Sequence, residues 1–135
     1  MRLWHYKLLP YLPRLQLQSQ WRELNSIYKK QDKHILINYI YDYSKEYLLV
    51  YSLQVIKELR NRGINVKTMD NFNSYFYEYK STFIDKSFPE HNDRYLLQCY
   101  YNLQEKYDRG QAEFTKEQFD KLTIFVQKEL GVMNL

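Results

Sequence analysis

Apolar positions recur along this chain at helical spacing, in four blocks separated by polar or glycine-containing breaks. In the first block, Leu17, Trp21, Leu24 and Tyr28 fall at i, i+4, i+7 and i+11, which predicts one face of a helix over about 14–29. Pro10 and Pro13 end an extended lead-in and start that helix near Arg14, because proline suits a first helical turn and disfavours helix in the residue before it. The polar run Lys29-Lys30-Gln31-Asp32-Lys33 ends it. A second helix is predicted over 44–62, with Leu48, Leu49, Ser52, Val55, Ile56 and Leu59 as its buried stripe and Gly63 as its C-terminal cap. A third, over 93–108, can be capped by Asn92 or Asp93 and carries Leu96, Leu97, Tyr100, Leu103 and Tyr107 toward Gly110. The last, over 116–130, opens with the capping box Thr115-Lys116-Glu117-Gln118 and buries Phe119, Leu122, Phe125, Val126 and Leu130 before Gly131.

Residues 64–90 follow neither the helical nor the strand period and read as a loop holding Phe72, Tyr75, Phe76, Tyr77, Tyr79, Phe83 and Phe88. Four helices and no alternating run predict an all-α fold. At 135 residues the expectation is a single compact domain over 1–135, of about four helices, with a Tyr/Phe-rich loop between the second and third. The aromatic stretch 72–83 has two uses open to it, covering the core or stacking on unpaired bases.

Composition narrows the function classes. Three Gly, three Pro and a single cysteine, Cys99, exclude collagen, a disordered chain and a disulfide scaffold. A lone cysteine suits a reducing compartment, no apolar run approaches the ~18 residues of a membrane span, and the opening MRLWHYKLLPYLPR breaks its apolar stretch with charges, unlike a signal peptide. A cytoplasmic monomer without membrane contact is expected. Charge is uneven: residues 1–34 carry +5, from Arg2, Lys7, Arg14, Arg22, Lys29, Lys30 and Lys33 against Glu23 and Asp32, whereas the rest carries −1. That asymmetry suits a polyanion-binding face, the plainer reading being a solvated basic surface.

Several chemistries lack their sequence signals. There is no glycine-rich phosphate loop, cysteine pair or H-E-x-x-H, and His5, His34 and His91 lie far apart, so neither metal nor cofactor is expected. What stands out is Gln20-Trp21-Arg22-Glu23-Leu24, where Arg22 and Glu23 flank the apolar stripe in the most basic part of the chain. A carboxylate among cations should be ionised and could stabilise positive charge developing on a sugar ring. The bland alternative is a helix-surface acid balancing its neighbours.

The stretch RLWHYKLLPYLPRLQLQSQWREL resembles the start of the pyrimidine-dimer DNA glycosylase family, with Arg22-Glu23-Leu24 preceded by an aromatic at the family's distance from the N-terminus. The run Glu58-Leu59-Arg60-Asn61-Arg62-Gly63-Ile64-Asn65-Val66 resembles the end of that family's second helix, and His91 through Lys106 is similar to its third. The resemblance implies an all-α DNA repair enzyme of base excision. It would be a glycosylase with AP-lyase (endonuclease) activity on double-stranded DNA damaged by UV-induced pyrimidine dimers, working through a Schiff base between the N-terminal amine and sugar C1′. It implies Met1 as the amine and Glu23 as the essential carboxylate, with Arg22 holding the lesion. An α-amine at pKa ~7.7–8.0 is about one-tenth unprotonated at pH 7, far more than a lysine at about 10.4. Arg2 is too large for ordinary methionine trimming, so Met1 itself should carry the amine.

Gln16 and Gln20 are expected on the same side of the first helix as Glu23, either hydrogen-bonding an extruded base or its partner or standing as exposed polar filler. Arg2, Arg14, Lys33 and His34 complete the expected DNA contacts, with solubility or structure as their plainer roles. The sequence departs from the family where an arginine one turn after the glutamate is replaced by Ser26, and where a capped helix replaces a C-terminal aromatic-lysine segment. A non-catalytic nucleic-acid-binding domain that kept the basic first helix, or an all-α protein-interaction module, are the alternatives.

Overall fold

The computed structural model describes residues 1–79 and 86–135, and among these it contains helices and no strand. The four predicted helices are present as α1 (Arg14–Lys30), α2 (Lys45–Asn61), α4 (Asp93–Asp108) and α5 (Lys116–Leu130), with a short additional helix, α3 (Asp70–Tyr75). The apolar stripes face inward: Leu17, Trp21, Leu24, Ile27 and Tyr28 from α1 meet Leu48, Leu49, Val55, Ile56 and Leu59 from α2, while Leu96, Cys99, Tyr100 and Leu103 of α4 pack with Leu122 and Val126 of α5.

Helix ends form as their sequences direct. Asn92 rather than Asp93 caps α4, its Oδ1 accepting from the Tyr95 N–H at 3.0 Å. At α5 both halves of the capping box are made. After α2, Gly63 adopts φ 72°, which lets its N–H reach the Arg60 carbonyl and the Ile64 N–H reach that of Leu59, both at 2.9 Å.

Three local features differ from the expectation. The lead-in to α1 is not extended throughout but forms a 3-10 turn at Tyr6–Tyr11 with Pro10 inside it, because proline's fixed φ also fits a 3-10 turn. A second 3-10 turn occupies Asn38–Asp42. The segment expected to be loop contains α3, and aromatics in it and just after it pack on α1: the Tyr28 ring lies 5.9 Å from Phe72 and 5.3 Å from Phe76. Phe76 and Phe88 are buried, as core-covering aromatics should be, while Tyr77 is 80% exposed. Phe83, also counted in that aromatic stretch, lies outside the described residues.

The motif at the end of α2 has a structural meaning. Arg62 donates from Nη1 to the Leu12 carbonyl at 2.8 Å and from Nη2 to those of Pro10 and Leu9 at 3.1 and 3.2 Å. Its Nε pairs with Glu58 at 2.8 Å. One guanidinium thus satisfies three turn carbonyls and ties the N-terminal 3-10 turn to α2.

Candidate active site around the N-terminal segment

Residues 2–5 run through the fold rather than along its surface. Leu3, Trp4 and His5 are buried, so their backbone polar groups need partners; the His5 carbonyl accepts from the Leu8 N–H at 2.9 Å, and with no neighbouring strand several others turn to side chains. The Arg2 carbonyl accepts from Gln20 Nε2 at 3.2 Å, and the Trp4 N–H donates to Gln20 Oε1 at 2.8 Å. The Leu3 carbonyl accepts from the Tyr95 hydroxyl. The Tyr51 hydroxyl lies between the Trp4 carbonyl at 2.7 Å and Gln20 Oε1 at 2.9 Å. Finally, the Tyr6 N–H donates to His91 Nδ1 at 3.2 Å. Helices α1, α2 and α4 each contribute to holding this segment.

His91 and His5 belong to that support. The Nδ1 of His91 accepts, so its proton sits on Nε2, which donates to the Tyr39 hydroxyl at 2.7 Å. His5 Nδ1 accepts from the Lys7 N–H at 3.1 Å. Burial lowers both rings, His5 to about 4 and His91 to about 3, so both are neutral at physiological pH.

The segment delivers Met1 to a concavity of about 270 Å³ lined by Met1, Arg2, Trp4, Gln16, Glu23, Leu36, Asn102 and Lys106. Glu23 is half-buried, and Gln20 Nε2 donates to its Oε2 at 3.4 Å. Burial pushes the Glu23 carboxyl above its ordinary value, while the N-terminal amine, Arg22, Lys106 and the Arg2 backbone N–H pull it back down. The cationic surroundings read from the sequence are present, but desolvation outweighs them. The arrangement sets an amine and a carboxyl of raised proton affinity at one concave surface, with amide and ammonium groups on its walls.

The other sequence-predicted site residues divide. Gln16 lines this concavity. Gln20 does not: it is fully buried, and its amide is used by Arg2, Trp4, Tyr51 and Glu23, so the expected position facing a base is corrected to one inside the fold. Arg22 is exposed, donates to Ser19 Oγ at 2.8 Å, and lines a separate concavity of about 460 Å³ with Trp21, Asn25, Ile64, Lys67 and Asn71. Arg2 turns its guanidinium toward the rings of Trp4 and Tyr95, at 5.7 and 6.0 Å. Arg14, Lys33 and His34 are exposed. Ser26, standing where the family pattern has an arginine, hydrogen-bonds the Asp32 carboxylate and so fastens the loop after α1.

Asn102 and Lys106 escaped the sequence reading. They sit one helical turn apart on α4, beside the Cys99–Leu103 stripe, a polar i, i+4 pair that pattern alone does not distinguish from solvated surface. Leu36 escaped because nothing local shows which side of the loop meets the N-terminus. Among the described residues no three His, Cys, Asp or Glu side chains come together as a metal site, and no helix is long and apolar enough to cross a membrane.

A protein-family model described as pyrimidine dimer DNA glycosylase matches residues 1–72. The match covers the N-terminal segment, α1, the following loop and α2, which supply Met1, Gln16, Glu23 and Leu36; Asn102 and Lys106 lie beyond it. No curated protein and no solved structure matches the chain.

Proposed function

The chain belongs to the pyrimidine dimer DNA glycosylase family, and from that premise we propose that it excises UV-induced pyrimidine dimers through the Met1 amine and then nicks the strand as an AP lyase. The observation that carries this reading is that Met1 and Glu23 line the same concavity. The unprotonated amine attacks C1′ of the damaged nucleotide, and the glycosidic bond breaks with its electron pair leaving on the base, which takes up a proton. The sugar opens to an iminium joined to the Met1 nitrogen. Loss of the C2′ proton then expels the 3′ phosphate by β-elimination, and water releases the sugar from the amine.

Glu23 serves two needs. As a carboxylate it stabilises the cationic sugar and iminium. Its raised proton affinity suits it to accept a proton during elimination and pass it on. Gln16 and Asn102 offer hydrogen bonds to the sugar or base, while Lys106, Arg22, Arg14 and Lys33 serve phosphates. Gln20 positions the amine rather than touching DNA.

Borohydride trapping tests the reading. Incubation of the protein, its N-terminus free, with an abasic-site duplex should give a covalent adduct whose DNA-bearing peptide begins at Met1. Salt-sensitive DNA binding without an adduct would leave a non-catalytic DNA-binding domain instead.

A further inference from the structure

The loop between α1 and the Asn38–Asp42 turn carries a feature that the catalytic scheme leaves unused. Ile35 is 86% exposed and Leu36 beside it 43%, whereas Ile37 is fully buried. The loop is nonetheless tightly bonded. Gln31 caps α1 in the left-handed region at φ 50°, its N–H reaching the Ile27 carbonyl at 2.8 Å. The Asp32 carboxylate takes the Ser26 hydroxyl, and its carbonyl takes that of Tyr41. The His34 N–H donates to Asn38 Oδ1 at 2.8 Å, and the His34 carbonyl accepts from Ile37 and Asn38 at 2.8 and 2.9 Å. Its Nδ1 also accepts from the Leu36 N–H at 3.2 Å. These bonds hold a branched apolar side chain out in water.

Two observations say what covers it. Leu36 is part of the wall of the concavity that holds Met1 and Glu23, so the exposed Ile35 is one residue along the chain from the candidate active site. Lys29, Lys30, Lys33 and His34, all within six residues of Ile35 in the chain, are exposed. An apolar tip on a loop that carries exposed lysines fits a partner with a phosphate exterior and an apolar stacked interior, which is duplex DNA.

We propose that Ile35, backed by Leu36, is an apolar wedge that enters the base stack at the lesion and helps drive a nucleotide out of the helix. This rests on the DNA glycosylase reading and deepens it: the lysines grip the backbone, the isoleucine fills the space vacated by the unstacked base, and the adjoining concavity receives the sugar. A side chain this exposed has little part in folding, so its replacement leaves a folded protein.

The test compares wild type, Ile35→Ser and Ile35→Leu on a paired abasic duplex and on the same abasic strand without its complement. A 2-aminopurine next to the lesion reports unstacking on binding. Ile35→Ser should lose 10-fold or more in nicking on the duplex, match wild type on the single strand, and abolish the rise in 2-aminopurine fluorescence. Ile35→Leu should restore all of it, and the salt slope of binding should be unchanged because no charge is altered. Equal activity of Ile35→Ser and wild type on the duplex, or equal losses on both substrates, overturns the wedge; the first result would leave the tip to a protein partner. If wild type neither nicks nor traps, the lyase reading fails, while the fluorescence arm still decides the wedge from binding alone.

Discussion

Gln20 and Glu23 lie three residues apart on α1, and the Gln20 amide nitrogen that donates to Glu23 at 3.4 Å also donates to the Arg2 carbonyl at 3.2 Å. A single buried amide therefore links the candidate carboxyl to the backbone that carries the candidate amine. The position of Met1 relative to Glu23 depends on a side chain that itself touches no solvent.

Replacing Gln20 by Leu keeps the volume but strands the Trp4 N–H and the Arg2 carbonyl. Unsatisfied buried groups of this kind cost about 1–3 kcal/mol each, so a total loss of roughly 2–6 kcal/mol is expected in urea unfolding. Abasic-site nicking by the remaining folded protein should fall further than DNA affinity, since the phosphate-binding surface is untouched. A Gln20→Leu protein with full nicking activity would show that the N-terminal segment is held by other means.

Arg62→Met should destabilise by about 2–3 kcal/mol, because it removes the donors to the carbonyls of Leu9, Pro10 and Leu12 and leaves Glu58 half-buried without its cation. Thermal unfolding reads this directly. Arg60→Met, one residue pair away and exposed, should stay within about 0.5 kcal/mol of wild type.

The helices were legible because each apolar stripe, from Leu17–Tyr28 to Leu122–Val126, follows the helical period and ends at a residue with a specific capping role. The 3-10 turn at Tyr6–Tyr11 was not, since its stability comes from Arg62, fifty residues away. The same distinction separates the site residues. Met1, Glu23 and Gln16 lie in a stretch whose resemblance to the family is close. Asn102, Lys106 and Leu36 join them only through the packing of α4 and the loop against residues 1–4. Gln20 was misplaced for a related reason: pattern puts a glutamine beside a stripe at the surface, whereas here a strand-like segment without strand neighbours recruits it inward.

Acid should weaken the fold through His5 and His91. Their folded values, about 4 and about 3, lie below the ordinary 6.5, so the stability they contribute is complete above pH 6.5 and is lost as pH falls toward those values. Between pH 6 and 5, before most carboxylates titrate, the unfolding free energy should drop by up to roughly 1.4 kcal/mol per pH unit for each histidine. His91→Gln should flatten that slope by about one proton. Urea titrations at half-unit pH intervals measure it.

Glu23→Gln separates catalysis from stability. Burial raises the carboxyl above its ordinary 4.5, so the folded state holds that proton more tightly than the unfolded one. The stability linked to it is present below the ordinary value and is lost as pH rises through the folded value. Glutamine cannot ionise, so the variant should melt higher than wild type at pH 7 and lose that advantage near pH 4. Without the charge that stabilises a cationic sugar, base removal from dimer-containing DNA should fall by about 100-fold or more. Incision at a preformed abasic site should suffer less, because no glycosidic bond remains and the amine can still attack the aldehyde. Acetylating the Met1 amine should instead abolish both activities and the borohydride adduct. Full activity in the acetylated protein would move the nucleophile to a lysine, and Lys106, on the wall of the same concavity, is the first to replace. A Glu23→Gln protein that gains stability and keeps its rate would make Glu23 a buried acid with no part in the reaction.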